Sequence, residues 1–299
     1  MKRWIKIAAA VAGAIAATLM GATAVGNVLW TRATKRTLGK FTASRTPSRD
    51  SAVTFSPEHL AGLPDPVIRY FTFALTPGQP LIRGARLEQR GEFLTRPGGA
   101  WSPFTAVEHF IVHRPGFLWD AAIRMAPLFT ARVRDSYLDG QGRTHGRLAG
   151  LVTVVDQGGT PEMTAASLQR YLAEAAWLPP ALLPSAGVTW TAIDESTARA
   201  TLADHGITVS VDFRFGSRGE IVGISAKRYR AVAGRQVLTP WVGRFWSYER
   251  VDGMMIPRDG EVAWVLPEAP FPYWRGRITH FAYDRVKPDA RTPSDCVRR

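Results

Sequence analysis

The sequence predicts a mainly β protein of the α+β class. It reads as a large curved antiparallel sheet or half-barrel of about ten strands, covered by one central amphipathic helix and preceded by an N-terminal transmembrane helix. Three observations carry this. Apolar and polar residues alternate with period two over most of the 299-residue chain. One internal stretch, Thr160–Pro184, switches to a helical period. The segment Ile7–Trp30 contains no charged residue.

The N-terminal segment begins with Lys2, Arg3 and Lys6 and continues into Ile7–Trp30. About 24 uncharged residues suffice to span a bilayer core as a helix. Ala22-Thr23-Ala24 has the small-residue form of a signal cleavage site. The apolar run continues past it through Val25, Val28 and Leu29, which favours a retained signal anchor (residues 1–30) with Trp30 at the membrane interface. Residues 31–56 are polar and basic and read as a linker. Leu60–Leu75 offers apolar residues on one side of a short helix that Pro77-Gly78 ends.

Residues 57–284 read as a single β-rich domain. The alternating runs are Ala85–Phe93, Phe104–Val112, Phe117–Met125, Ala131–Leu138 and Arg147–Val155, then Ile207–Phe215, Glu220–Tyr229, Arg244–Val251, Glu261–Leu266 and Arg277–Tyr283. Pro97-Gly98-Gly99, Pro115-Gly116 and Asp139-Gly140-Gln141-Gly142 supply turn chemistry between them. Residues 285–299 form a basic tail.

The central helix is predicted over residues 160–177. Thr160 suits the N-cap, Pro161 the first helical position, and Glu162 the positive end of the helix dipole. Leu168, Tyr171, Leu172, Ala175 and Ala176 form one apolar stripe. Arg170 and Glu174 stand at i, i+4, where they can pair, and Pro179-Pro180 stops the helix. Such a stripe needs a surface to cover, and strands flank it on both sides. The bulky segment Trp177–Pro184 that follows suits the rim of a cavity.

A formal charge of +13 raises nucleic acid as a partner, but its distribution argues against one. About +8 lies in residues 1–50 and about +3 in residues 285–299, leaving a body close to neutral. Basic ends suit anionic lipid headgroups. One cysteine, Cys296, allows neither an internal disulfide nor a cysteine-ligated zinc. His109 and His113 would lie about 13 Å apart on a strand, too far for one metal ion. Gly216-Ser217-Arg218-Gly219 lies between two strands and reads as a hairpin turn, not a nucleophile elbow. Glu108, Asp120, Asp135 and Asp156 interrupt the strands; sharing a cavity with His109 or His145, they could run acid–base chemistry. No cofactor and no metal are expected.

Arg170-Tyr171-Leu172-Ala173-Glu174-Ala175 with Trp177-Leu178-Pro179, then Trp190, Ile193-Asp194 and Thr239-Pro240-Trp241, resembles an uncharacterised bacterial family of singly membrane-anchored envelope proteins, a domain of unknown function. The resemblance spans most of Pro66–Tyr283. In architecture the chain looks like the outer-membrane lipoprotein carrier fold, in which a half-barrel clasps an acyl chain under a helical lid. The family brings no established activity; the short signal-like N-tail places an inner-membrane protein's domain toward the periplasm or cell exterior, and the leading expectation is non-enzymatic binding of a lipid or other apolar ligand in the concave face. The candidate ligand-contacting residues are Phe110, Trp119, Tyr171, Trp177 and Trp241, with Arg170 for a headgroup. An enzyme using the strand carboxylates, and a protein-interaction module without a pocket, are the alternatives.

Overall fold

The computed structural model describes residues 2–43, 54–126 and 129–285. The basic C-terminal tail and Cys296 lie outside the described residues. The sheet has thirteen strands, not ten, all antiparallel. The strands are β1 (Ile82–Phe93), β2 (Ser102–Ile111), β3 (Gly116–Ala126), β4 (Phe129–Leu138), β5 (Gln141–Leu148) and β6 (Val152–Gly158), followed by β7 (Val188–Asp194), β8 (Thr197–Asp204), β9 (Ile207–Phe215), β10 (Ile221–Val232), β11 (Arg235–Val251), β12 (Met254–Val265) and β13 (Pro270–Arg285). Two errors account for the difference. The run Arg147–Val155 straddles the β5–β6 turn and so merged two strands, and β7 and β8 were not read as strands.

The order is β6-β5-β4-β3-β2-β1-β13-β12-β11-β10-β9-β8-β7. It is two meanders, β1–β6 and β7–β13, zipped together through the β1–β13 pair. The crossover from edge strand β6 to edge strand β7 passes through helix α3 (Pro161–Glu174) and short 3-10 turns to residue 186. α3 packs on β3, β4, β5 and β6 of one meander and on β9 and β10 of the other. One helix can touch strands this far apart in the order only if the sheet curls around it. The curl also brings the Tyr137 hydroxyl of β4 within 2.6 Å of Asp204 of β8, to which it donates.

The local chemistry of α3 follows the sequence. The Thr160 side chain accepts from the Met163 backbone N–H, and Pro161 opens the helix. Helical turns tighten to 3-10 over Ala175–Trp177 before the proline pair. Leu168, Tyr171, Leu172, Ala175 and Ala176 are all buried. A second short helix, α2 (Asp65–Ala74), covers part of the sheet near β8 and β12.

The N-terminal helix α1 (Lys2–Ala43) runs through residues 31–43 of the stretch read as a linker. Trp30 is not at a membrane interface: it is 2% exposed, packed on the sheet face opposite α3. Its indole N–H donates to Asp120 at 2.9 Å and its ring stacks on His145. The Arg134 guanidinium lies 4.4 Å from the ring centre. The Thr34 hydroxyl reaches Asp120 as well, and Arg132 pairs with the same carboxylate at 3.0 Å. Phe41 sits beside Gly116 at the start of β3, and Gly26 lies so close to Gly150 that neither position has room for a Cβ. α1 therefore crosses this face obliquely, from the start of β3 over β4 and β5 to the β5–β6 turn. Residues 2–21 extend away from the sheet with their described side chains exposed. Among the described residues no helix is long and apolar enough to cross a membrane; side chains 8, 12, 15 and 16 of the predicted span lie outside the described residues.

Replacing Trp30 by Ala removes the ring that fills this joint, at a cost of about 3–5 kcal/mol by analogy with other buried tryptophans. Trypsin digestion of the full chain in detergent is expected to cut faster at Arg32, Lys35 and Arg36 in Trp30→Ala than in the parent. Equal rates would show that α1 is held by something else.

Candidate functional site

Alternation along β2, β3 and β4 sends Glu108, Trp119 and Asp135 to the α3 side of the sheet, because these three are cross-strand partners in one row. Asp120 and Arg134, one residue off that row, and Arg132, three residues off it, face α1. Asp156 pairs with Arg143 and approaches His145, also away from α3. The four carboxylates singled out in the sequence thus divide between two faces, and His145 stacks on Trp30 instead of joining Glu108. Among the described residues no group of three or more His, Cys, Asp or Glu side chains could hold a metal ion.

Arg170 of α3 gathers the inner carboxylates. It reaches Glu108 at 3.1 Å, Asp135 at 2.8 Å and Glu174 at 2.8 Å. Its guanidinium also lies over the rings of Phe117 and Trp119. Burial alone would depress its pKa, but the three carboxylates together hold it above its ordinary value. Glu108 is fully buried. One of its oxygens takes a hydrogen bond from Gln89 at 2.7 Å, and Gln89 accepts in turn from the Trp119 indole. Burial and then the charge of Glu174 push the Glu108 carboxyl well above its usual range, against the pull of Arg170 and Gln89. One cation facing a buried acid and two partly buried ones leaves an excess of negative charge that a proton on Glu108 relieves.

Beside this cluster, between α3 and the ends of β1 and β10–β13, lies a cavity of about 150 Å³. Its walls are largely aromatic: Trp119, Trp177, Trp241, Trp264, Tyr273 and Trp274 all border it. Trp177 stands edge-on to Phe245 and against Trp274. Trp264 stacks on Tyr273, whose hydroxyl accepts from the Trp241 indole at 3.0 Å. Arg228 lies over Trp241 and Trp264 and is held by the Ala166 carbonyl of α3. Asp135, Arg170 and Glu174 supply the polar wall. Three buried polar atoms of wall residues have no partner: Asp135 Oδ1, Glu174 Oε2 and Trp177 Nε1.

Of the six residues named from the sequence, Trp119, Arg170, Trp177 and Trp241 border this cavity. Phe110 and Tyr171 do not. They pack on each other in the core, where the Tyr171 hydroxyl donates to the Ile111 and Val112 carbonyls. Trp264, Tyr273, Trp274 and Phe245 were missed. The sequence PEAPFPYW, rich in proline, gave no strand signal for Tyr273-Trp274, and Trp246 rather than Phe245 could equally have faced inward.

Two consequences are measurable. Arg170→Met strands three carboxylates in a dry site and is expected to cost about 3–5 kcal/mol in urea unfolding. Glu108 carries a pKa raised on folding, so the stability it contributes is fully present below the ordinary carboxylate pKa and is lost as pH rises through the raised value. Glu108→Gln cannot ionise and escapes that loss. Its stability relative to the parent should therefore increase as the pH rises above the ordinary carboxylate range. A pH-independent difference would place the proton elsewhere.

The sequence profile of a family of unknown function (DUF6920) matches residues 61–283. No curated protein matches the chain. Among solved structures, the chain is similar to a LolA superfamily protein from Nitrosomonas europaea, with 10% identity over 75% of this chain and 94% of that one and a TM-score of 0.38. It is similar to a putative outer membrane lipoprotein-sorting protein domain from Vibrio parahaemolyticus, at 6% identity over 67% and 85% of the two chains and a TM-score of 0.36. A DUF1329 family protein from Desulfovibrio piger aligns at 12% identity over 76% and 93%, with a TM-score of 0.36.

Proposed function

From the premise that the chain belongs to the DUF6920 family, a family of unknown function, we propose that it is a membrane-tethered envelope protein that binds a lipid or other amphiphile in the aromatic cavity under α3, without catalysing a reaction on it. The observation that carries this reading is the cavity itself. Eight aromatic side chains surround a space with room for a benzene-sized group, and one wall holds buried carboxylate oxygens with no donor. An apolar end of the ligand would fill the aromatic part. A donor group on it, a hydroxyl or an ammonium, would meet Asp135 Oδ1 or Glu174 Oε2. At about 150 Å³ the cavity holds one end of such a molecule, and the rest emerges from it.

Binding is favoured over catalysis by the placement of the carboxylates. Asp120 and Asp156 are on the other face, and Glu108, Asp135 and Glu174 all share Arg170. A pair of acids free to exchange protons with a substrate is not what this network offers. The tether is the run Ile7–Val25 of α1, which contains no charge and leads away from the sheet.

The test is native mass spectrometry of the full chain extracted from a bacterial envelope in mild detergent, alongside Ala173→Leu. Ala173 borders the cavity from α3, so a larger aliphatic side chain fills the space without breaking the helix. A co-purifying lipid on the parent, absent from an Ala173→Leu chain of unchanged melting temperature, is the expected result. A clean parent mass with no uptake of added fatty acid or phospholipid would sink the reading.

A further inference from the structure

At the end of the sheet where α1 leaves it, two hairpins expose apolar side chains. The β3–β4 hairpin presents Met125 and Phe129, the latter 53% exposed. The β5–β6 hairpin presents Leu151, Val152 and Val154, with Val152 62% exposed and Val154 57%. The two are adjacent: the Ala149 N–H donates to the Thr130 carbonyl at 2.9 Å. Gly150, in the second turn, is the residue against which Gly26 of α1 is pressed. Gly150 has a positive φ of 72°, and its contact with the helix backbone fixes where α1 passes the edge of the domain.

Geometry then relates the tips to the helix. α1 crosses from the start of β3, where Phe41 sits beside Gly116, to the β5–β6 turn, where Gly26 sits beside Gly150, so its N-terminal part continues beyond the end of the strands that carries these side chains. From Ile7 to Val25 the chain has no charge, and at 1.5 Å per residue this covers about 28 Å, against about 30 Å for a bilayer core. The tips sit level with the point where that run ends. The charged side chains nearest them in sequence are Arg124 next to Met125, Arg132 on the far side of Phe129, Arg147 before Leu151, and one acid, Asp156, after Val154. Single exposed apolar residues are ordinary on a protein surface, but five on two touching hairpins beside an apolar helix are not.

We infer that Met125 and Phe129, at the facing ends of β3 and β4, and Leu151, Val152 and Val154 of the β5–β6 hairpin enter the interface of the same bilayer that holds α1, so that the domain is seated on an anionic lipid surface in one orientation and does not swing on a leash. Phe129, Val152 and Val154 bury their side chains at headgroup depth, and Arg124 and Arg147 face the phosphates. The inference rests on the tether reading above, and the experiment separates the two.

The full chain, with Cys296→Ser to remove its one cysteine, is given a single cysteine carrying an environment-sensitive fluorophore at Leu19, Phe129, Val152 or Arg114. Each chain is reconstituted into vesicles of phosphatidylethanolamine and phosphatidylglycerol. Arg114 is the control, exposed in the turn before β3 at the far end of that strand. The expected result is a blue-shifted emission, quenched by spin-labelled lipid, at positions 19, 129 and 152, with position 114 unshifted. A shift at 19 with 129 and 152 behaving like 114 overturns the seating and leaves the tether standing. No shift at 19 overturns the tether and the seating with it.

Discussion

Arg170 is the point on which the inner face of this protein turns. A thirteen-strand sheet has far more dry surface than one helix of fourteen residues can cover, so it curls until strands of both meanders meet α3. That curl buries Glu108 fully and Asp135 in part, both sent inward by the row structure of β2, β3 and β4. Unpaired, either would be costly in a dry site. One guanidinium on the covering helix meets both, together with Glu174 one turn along its own helix. The network fixes the register of α3 on the sheet, since sliding the helix by a turn would strand the acids. It also sets the polar wall of the cavity. The same residues that lock the fold therefore leave Asp135 Oδ1 and Glu174 Oε2 facing a shortage of donors.

The outer face solves the same problem with different chemistry. Asp120 is the neighbour of Trp119 on β3, and so faces away from α3 when Trp119 faces toward it. It is satisfied by Trp30, Thr34 and Arg132. α1 is thus a working part of the domain over its second half, and residues 22–43 are not a spacer. Successive residues of one strand, Trp119 and Asp120, tie the sheet to its two long helices on opposite sides. A rigid joint of this kind is what would carry an orientation from a membrane helix to the sheet.

Much of this was legible in the sequence, and the failures have physical causes. Nine of the predicted runs fall on single strands because their inner residues are large and apolar, as in Val209, Val211, Phe213 and Phe215. β5 gave no such signal. Its inward positions include Gly142, which is pressed so close to Ser167 and the Met163 carbonyl of α3 that a Cβ would clash. A strand that must let a helix backbone approach loses the side chains by which a strand is recognised. β7 and β8 were missed for a related reason, since Ala198 and Ala200 fill inner positions of β8 and contribute little contrast with the threonines beside them. The site was read halfway. The tryptophans were visible as residues, but a sequence does not say which face of a sheet each will take. Phe110 and Tyr171 took the core, while Tyr273 and Trp274 took the cavity.

The antiparallel ladder places the two proposals relative to each other. Phe93, which borders the cavity, ends β1 and pairs with Ser102 at the start of β2. Two residues on, Phe104 pairs with Ile123, and Arg124 pairs with Thr130 at the end of the β3–β4 hairpin. Trp264 and Tyr273, also at the cavity, lie close to the turn between β12 and β13, at this same end of their strands. The cavity and the apolar tips therefore occupy the same end of the strands. If the tips rest at the bilayer surface, the aromatic cavity stands a short way above it. An amphiphile of which only one end fits inside would then have its remaining length near the lipid from which it came. An aromatic cavity at the opposite end of the strands would need a ligand that crosses water. On the proposed seating, the path of α1 across the sheet would bring the cavity to the membrane, and that would favour a ligand drawn from the bilayer over a soluble one.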